Sequence, residues 1–151
     1  MDTSVRDLLA SRGLRCTLQR EMLYTALMAS KVHPTAEELH EAVNRALSAD
    51  PISLATVYNT LEAFTSHGLA RRIAPTQAGS TAAFRYDADT SNHTHVVLAD
   101  GSIRDLPTDL SERVLSQIPP EVVEEVERRM GVKVHRIGVV FEGGSRPDRV
   151  G

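Results

Sequence analysis

The chain has 151 residues, 41% hydrophobic and 25% charged, with a formal net charge of −3. That length suits one ordinary domain or two small ones. No apolar run approaches the ~20 residues of a membrane span, the N-terminal MDTSVRDLLASRG has neither a basic leader nor an apolar signal core, and the one cysteine, Cys16, excludes an intramolecular disulfide framework and Cys-rich zinc modules. The expectation is a folded cytoplasmic protein with no membrane partner. The acidic balance argues against a generally basic nucleic-acid binder but leaves room for local patches: Arg6, Arg12, Arg15 and Arg20 outnumber Asp2 and Asp7 in the first twenty residues, and Arg71, Arg72 and Arg85 occupy 70–85 without an acid.

In chain order, 5–10 reads as a short amphipathic helix, closed by Gly13 in a left-handed cap. Thr17 caps a second helix in which Leu18, Met22, Leu23, Ala26 and Leu27 recur at helical spacing. Thr35 with Glu38 three positions later is a capping box, and Leu39, Val43 and Leu47 continue that helix's apolar face. A fourth helix runs from Ser53 to about His67 and is stopped by Gly68. Its buried stripe is Leu54, Val57, Leu61 and Phe64, while Ala55, Thr56, Asn59, Glu62 and Ala63 lie opposite and Tyr58 sits at the margin. After Gly68 the period changes to two, predicting strands at 69–73 and 82–87 around a turn at 75–80. Helices followed by a two-stranded ribbon are the order of a winged helix-turn-helix domain.

Beyond the polar joint at 88–92 the pattern predicts strands at 94–98 and 103–106 around a turn at 99–102. Helices follow near 110–118 and 120–130, then a strand at 133–140 and a frayed tail at 143–151. The whole is therefore α+β: a winged helix over 1–87, a hinge at 88–92, and an α/β domain over 93–142 that is small to stand alone. Pairing of its sheet edge in a dimer would supply the missing core.

Two sets of side chains carry chemistry. Ala55, Thr56, Tyr58 and Asn59 present small or hydrogen-bonding groups outward, as a helix entering a major groove requires, and Arg71 and Arg72 on the wing are placed for phosphates. A solvated helix face has the same composition. His93 and His95, spaced i, i+2 on a strand, share one side of it. Asp87 precedes the joint, Asp105 lies on the next strand, and His33 stands ahead of the third helix. If the joint folds back, these imidazoles and carboxylates form a mixed nitrogen and oxygen set for Fe(II), Mn(II), Zn(II), Co(II) or Ni(II). Taken alone, His-x-His in a strand is more often a surface pair than a metal site, and His33 also suits a capping or phosphate-facing role.

The segments Gly13-Leu14-Arg15-Cys16-Thr17-Leu18-Gln19-Arg20, His33-Pro34-Thr35-Ala36-Glu37-Glu38-Leu39, Ser53-Leu54-Ala55-Thr56-Val57-Tyr58-Asn59-Thr60-Leu61 and Gly68-Leu69 resemble the ferric uptake regulator superfamily. The similarity continues through Phe84-Arg85-Tyr86-Asp87, His93-Thr94-His95 and Asp100-Gly101-Ser102-Ile103-Arg104-Asp105, spanning about 5–140. The resemblance implies a homodimeric, metal-responsive transcription factor, in all expectation a repressor, that binds a double-stranded DNA operator and is not an enzyme. It implies that Tyr58 and Asn59 read bases, that Arg15 reaches a minor groove, and that the C-terminal domain dimerises. It further implies that His33, Asp87, His93, His95 and Asp105 hold one regulatory divalent metal per subunit, Fe(II) or Mn(II) with Zn(II) also suited.

Aspartate at both carboxylate positions is closer to the peroxide-sensing branch of that family, in which His33 and His93 would be the residues oxidised. The two CxxC pairs of a structural zinc site are missing from 97–101 and 142–145. Asn92 and Thr94 stand where a further His-rich sensory site would have ligands. Loss of the cysteines also resembles the haem-responsive branch, the second reading, although His93-Thr94-His95 differs from its three consecutive histidines. A non-haem metalloenzyme is the rival outside the family, weakened by the lack of a separate nucleophile or acid–base pair. A DNA-binding protein with a permanent structural zinc is a further alternative. His40, His67 and His135 are expected to be structural or surface residues.

Overall fold

The computed structural model describes residues 4–47, 49–75 and 83–144. It divides into two compact units, Met1–Thr90 and Ser91–Gly151. Most of the turn at 75–80, the start of the second strand and most of the tail, all expected from the sequence, lie outside the described residues.

The first unit contains α1 (Val5–Ser11), α2 (Leu18–Ala29), α3 (Ala36–Ala46) and α4 (Leu54–Ser66), then β1 (Arg71–Ile73) and β2 (Arg85–Asp87). Side chains fix the helix starts. Ser4, Thr17, Thr35 and Ser53 each accept a backbone N–H in the first turn, and Thr35 with Glu38 completes the capping box. Gly68 follows α4 at φ +66, where a Cβ would also crowd the Arg12 guanidinium at 3.2 Å. Leu9, Leu23, Leu27, Leu39, Val57, Leu61 and Phe64 are fully buried in one core, with Tyr24 edge-on to Phe64 at 5.1 Å between ring centroids. Leu54, expected in the buried stripe, is half-buried, and Ala63, expected opposite it, packs on the core. The core face is therefore rotated toward Val57 and Thr60.

β1 and β2 pair antiparallel, Arg71 opposite Asp87 and Ile73 opposite Arg85. The chain ahead of α3 continues this ribbon: Thr35 bridges Arg85, and the Tyr86 N–H donates to the Pro34 carbonyl at 2.9 Å. This backbone pairing, together with Arg85, which donates to the His33 carbonyl and to Glu38, holds residue 33 beside the end of β2.

The second unit contains β3 (His95–Val97), β4 (Ile103–Asp105), α5 (Thr108–Ser116), α6 (Pro120–Met130) and β5 (Val140–Glu142). The sheet order is β4-β3-β5, with β3–β4 antiparallel and β3–β5 parallel. Gly101 turns the β3–β4 hairpin at φ +79, Pro120 opens α6, and Gly131 closes it in the left-handed region. The strand expected at 133–140 is a correction. Residues 133–139 have strand-like composition but form no ladder among the described residues, and pairing begins at Val140, where the chain comes alongside β3. β-Propensity marks a segment able to pair; the partner's position decides which residues do so. Val97 and Ile103 are buried, but no residue of α6 is. Among the described residues no helix is long and apolar enough to cross a membrane.

Candidate metal centre and DNA-reading face

In the first unit His33 and Asp87 meet out of solvent. His33 Nδ1 lies 3.6 Å from Asp87 Oδ1, and both side chains are buried. His33 has φ +47, a left-handed conformation that costs a non-glycine residue about 1–2 kcal/mol. The pairing of the next two residues with β2 sustains it. The Asp89 N–H donates to Asp87 Oδ1 at 2.8 Å, and Arg71 Nη2 lies 3.6 Å from Asp87 Oδ2. The guanidinium of Arg71, expected from sequence to face phosphates, thus turns toward the 87–89 turn, with Nε and Nη2 both donating to the Asp89 carbonyl.

In the second unit β3 sets His95 opposite Asp105 on β4. His93 Nε2 and His95 Nε2 approach the same oxygen, Asp105 Oδ1, at 3.1 and 3.2 Å, and the two rings meet edge-to-face with centroids 4.5 Å apart. His93 Nδ1 is 3.0 Å from the Ser91 carbonyl. A carbonyl oxygen accepts, so Nδ1 carries a proton, and Nε2 is the ring nitrogen directed at the Asp105 carboxylate and placed to serve as a metal ligand. Two imidazole nitrogens beside one carboxylate oxygen make a borderline donor set that a divalent ion satisfies. The residues present therefore fit such an ion. Thr94, between the histidines, points the other way: it is fully buried, with its N–H and Oγ1 at 3.1 and 2.8 Å from Ser111 Oγ. That bond ties α5 beneath β3 and fixes which side the imidazoles take. The role of the Ser91 carbonyl left no mark in the sequence, because any residue supplies one.

Also in the first unit, Arg15, Thr17, Gln19, Arg20, Thr56, Asn59 and Thr60 line a concavity of about 440 Å³ between the start of α2 and α4. Ala55, Tyr58 and Asn59 are exposed. Arg20 is drawn back by its bond to the Arg15 carbonyl at 2.8 Å. Gln19 and Thr17 were not assigned to this face from the sequence, which read Thr17 only as the α2 cap. Tyr58 Oη donates to Glu37 Oε1 at 2.6 Å, which holds the Glu37 carboxyl below its ordinary range and pushes the Tyr58 hydroxyl up. Arg72 lies over the Phe84 ring at 4.4 Å, a cation–π contact on the wing. His40 and His67 are structural, as expected: His40 bonds the Ile52 carbonyl that Asn44 also clamps, and His67 bonds the Ala63 carbonyl. His135 is exposed.

Residues 11–137 match the model of the ferric uptake regulator family. A peroxide-responsive repressor of Staphylococcus saprophyticus is 38% identical over 91 residues, covering 59% of this chain and 56% of the relative, so the chain spans little more than half the length of that protein. Among solved structures, the ferric uptake regulator of Pseudomonas aeruginosa with manganese has a TM-score of 0.65 at 25% identity, covering 97% of this chain and all of the other. A zinc-bound manganese uptake regulator has a TM-score of 0.65 at 23% identity, covering 95% and 99%, and supports the fold alone. With most of its residues matched, this chain belongs to the ferric uptake regulator family.

Proposed function

We propose that the chain is a metal-dependent DNA-binding transcriptional regulator, acting as a homodimeric repressor. One divalent cation per subunit is held by His33 and Asp87 of the first unit together with His93, His95 and Asp105 of the second. The observation that carries this reading is the approach of both imidazole Nε2 atoms to a single Asp105 oxygen. The buried His33–Asp87 pair and the manganese named with the Pseudomonas aeruginosa relative add support. When bound, the cation supplies positive charge that ties ligands of both units together. The chain's own residues then set the outcome: 88–92 act as the hinge between a winged-helix domain and a dimerisation domain, and a tied hinge fixes the separation of the two recognition helices of a dimer. Asn59, Tyr58, Thr56 and Ala55 read base edges, Arg15 reaches into a minor groove, and Arg72 holds DNA phosphates. By linkage, DNA tightens cation binding by the factor by which the cation tightens DNA binding.

The test uses DNA selected from a random-sequence pool by the manganese-loaded protein. Binding to that DNA at fixed salt is expected to require Mn(II), Fe(II) or Zn(II), and to be lost in His93→Ala and Asp105→Ala while circular dichroism is retained. Equal DNA affinity in the presence of chelator contradicts the reading, and unfolding of the metal-free protein makes the ion a staple instead of a switch.

Peroxide sensing is a finer reading, favoured by the peroxide-responsive relative. If Fe(II) were the ion held by these ligands, it would supply the redox chemistry for oxygen transfer from hydrogen peroxide, released as water, and the imidazoles of His33 and His93 would be the acceptors, each a poorer ligand once oxidised. A +16 mass shift on the peptides containing those histidines, dependent on iron, is expected. Intact histidines alongside full release from DNA exclude it.

A further inference from the structure

We propose that Glu37 decides what Tyr58 reads. By taking the hydroxyl proton it leaves Tyr58 Oη as an acceptor, so the tyrosine recognises a major-groove amino group, N6 of adenine or N4 of cytosine, and not a carbonyl oxygen or ring nitrogen. The inference rests on the reading of α4 as the DNA-contacting helix. Tyr58 reaches from α4 to the first turn of α3, where its Oη lies 2.6 Å from Glu37 Oε1. Tyr58 is 43% exposed and Glu37 is exposed as well, so the pair belongs to the surface that also presents Ala55 and Asn59.

The direction of this bond follows from the chemistry of the two groups. A phenol has one proton and an ionised carboxylate has none, so Tyr58 donates and Glu37 accepts. Glu37 is held in its charged form: the Tyr58 hydroxyl and then its own backbone N–H keep the carboxyl below its ordinary range. Its place in the first turn of a helix also favours negative charge. The same contact pushes the Tyr58 hydroxyl up, so the proton stays on the phenol and points at α3. Only lone pairs of Oη remain for a base. A tyrosine with a free hydroxyl can turn to meet either a donor or an acceptor, whereas this one is fixed before DNA arrives. In the major groove the amino groups of adenine and cytosine donate, while N7, guanine O6 and thymine O4 accept. A carboxylate adds nothing to the attraction for phosphates. What Glu37 supplies to the reading face is direction.

The test uses the full-length, manganese-loaded protein and DNA that it enriches from a random-sequence pool. That DNA is remade one base at a time, either without a major-groove amino group (purine for adenine, 2-pyrimidinone for cytosine) or with a weakened acceptor (7-deazapurines, 4-thiothymine, 6-thioguanine). Deleting the amino group at one position is expected to weaken the wild type about fivefold and to leave Tyr58→Phe unaffected. Inverting that base pair puts an acceptor where the amino group stood. The cost is expected to be about tenfold in the wild type but about twofold in Glu37→Met, in which the Tyr58 hydroxyl is free to donate. Glu37→Gln, whose amide oxygen still accepts the proton without the charge, is expected to keep the wild-type cost. Glu37→Ala replaces the methionine variant should circular dichroism show that one unfolded. Equal inversion costs in the wild type and a folded Glu37→Met overturn the proposal, as does a Tyr58→Phe effect tied to an acceptor instead of an amino group. Glutamine behaving as methionine does makes the effect one of charge and also overturns it. If Tyr58→Phe alters the response at no base while Asn59→Ala does, the proposal fails and base reading by α4 stands. If the wild type enriches no sequence, the DNA-binding reading itself fails.

Discussion

The two units bury their apolar residues very differently. In Met1–Thr90 the helices close over a continuous core from Leu9 to Tyr86, with Phe64 edge-on to Tyr24. In Ser91–Gly151 most apolar residues of α6 and β5 face outward: Val122, Val126, Met130, Val140 and Phe141 are exposed, Met130 by 70%, and Val123 is half-buried. A helix with an apolar stripe and no buried residue has not found its packing partner. The contrast is between a first unit with a closed core and a second whose apolar residues lie open, the arrangement that the homodimer proposed above would require. It also suits a division of labour, since a reader of DNA needs a rigid frame and a dimerisation unit needs an open one.

The largest expected effect tests the self-contained core. Phe64→Ala should destabilise the first unit by about 3–5 kcal/mol, read from urea unfolding followed by circular dichroism. Val126→Asp in α6 lies outside that unit and should leave its unfolding unchanged, yet shift the sedimentation coefficient from dimer to monomer. Equal destabilisation by the two substitutions would erase the contrast.

A second pair of changes sharpens it. Thr94→Val removes the buried bond to Ser111 that joins β3 to α5. A cost of about 1–2 kcal/mol is expected in the second unit, together with weaker metal binding if that bond holds the imidazole side of β3 in place. Thr35→Ala removes the α3 capping box and should cost about 1 kcal/mol in the first unit, with no change in dimer mass.

The smallest effect concerns pH. The Tyr58 hydroxyl lowers the Glu37 pKa from its ordinary 4.5. A carboxyl held low in the folded state contributes stability above its ordinary pKa and loses it as pH falls through the lowered value. Tyr58→Phe should raise the Glu37 pKa toward the ordinary value in a carboxylate-resolved NMR titration, and should flatten the acid limb of stability. An unmoved Glu37 titration would show that the 2.6 Å contact does not form in solution.

The parts of the fold that were legible are those written in local chemistry. Thr17, Thr35 with Glu38, Ser53, Gly13 and Gly68 act at helix ends where the sequence put them, because caps and left-handed turns need particular residues. The shared side of His93 and His95 followed from the i, i+2 alternation of extended chain, although β3 itself begins at His95. What was hidden depends on partners distant in sequence. The ladder of β5 starts at Val140 because β3 lies there, and a Val- and Ile-rich run at 133–140 could not say so. Likewise Arg71 turns inward because the β1–β2 register puts Asp87 opposite it, and register cannot be read from either strand alone. The left-handed His33 is likewise invisible until Thr35 is seen to bridge Arg85.

The central claim, that ligands from both units serve one ion, is tested most directly by titrating Mn(II) into the full-length protein and into His33→Ala and His95→Ala. The account expects a single ion per chain, weakened at least roughly tenfold by either substitution. Wild-type affinity in His33→Ala would contradict it, confining the ion to the second unit and leaving nothing to tie it to the DNA-reading domain.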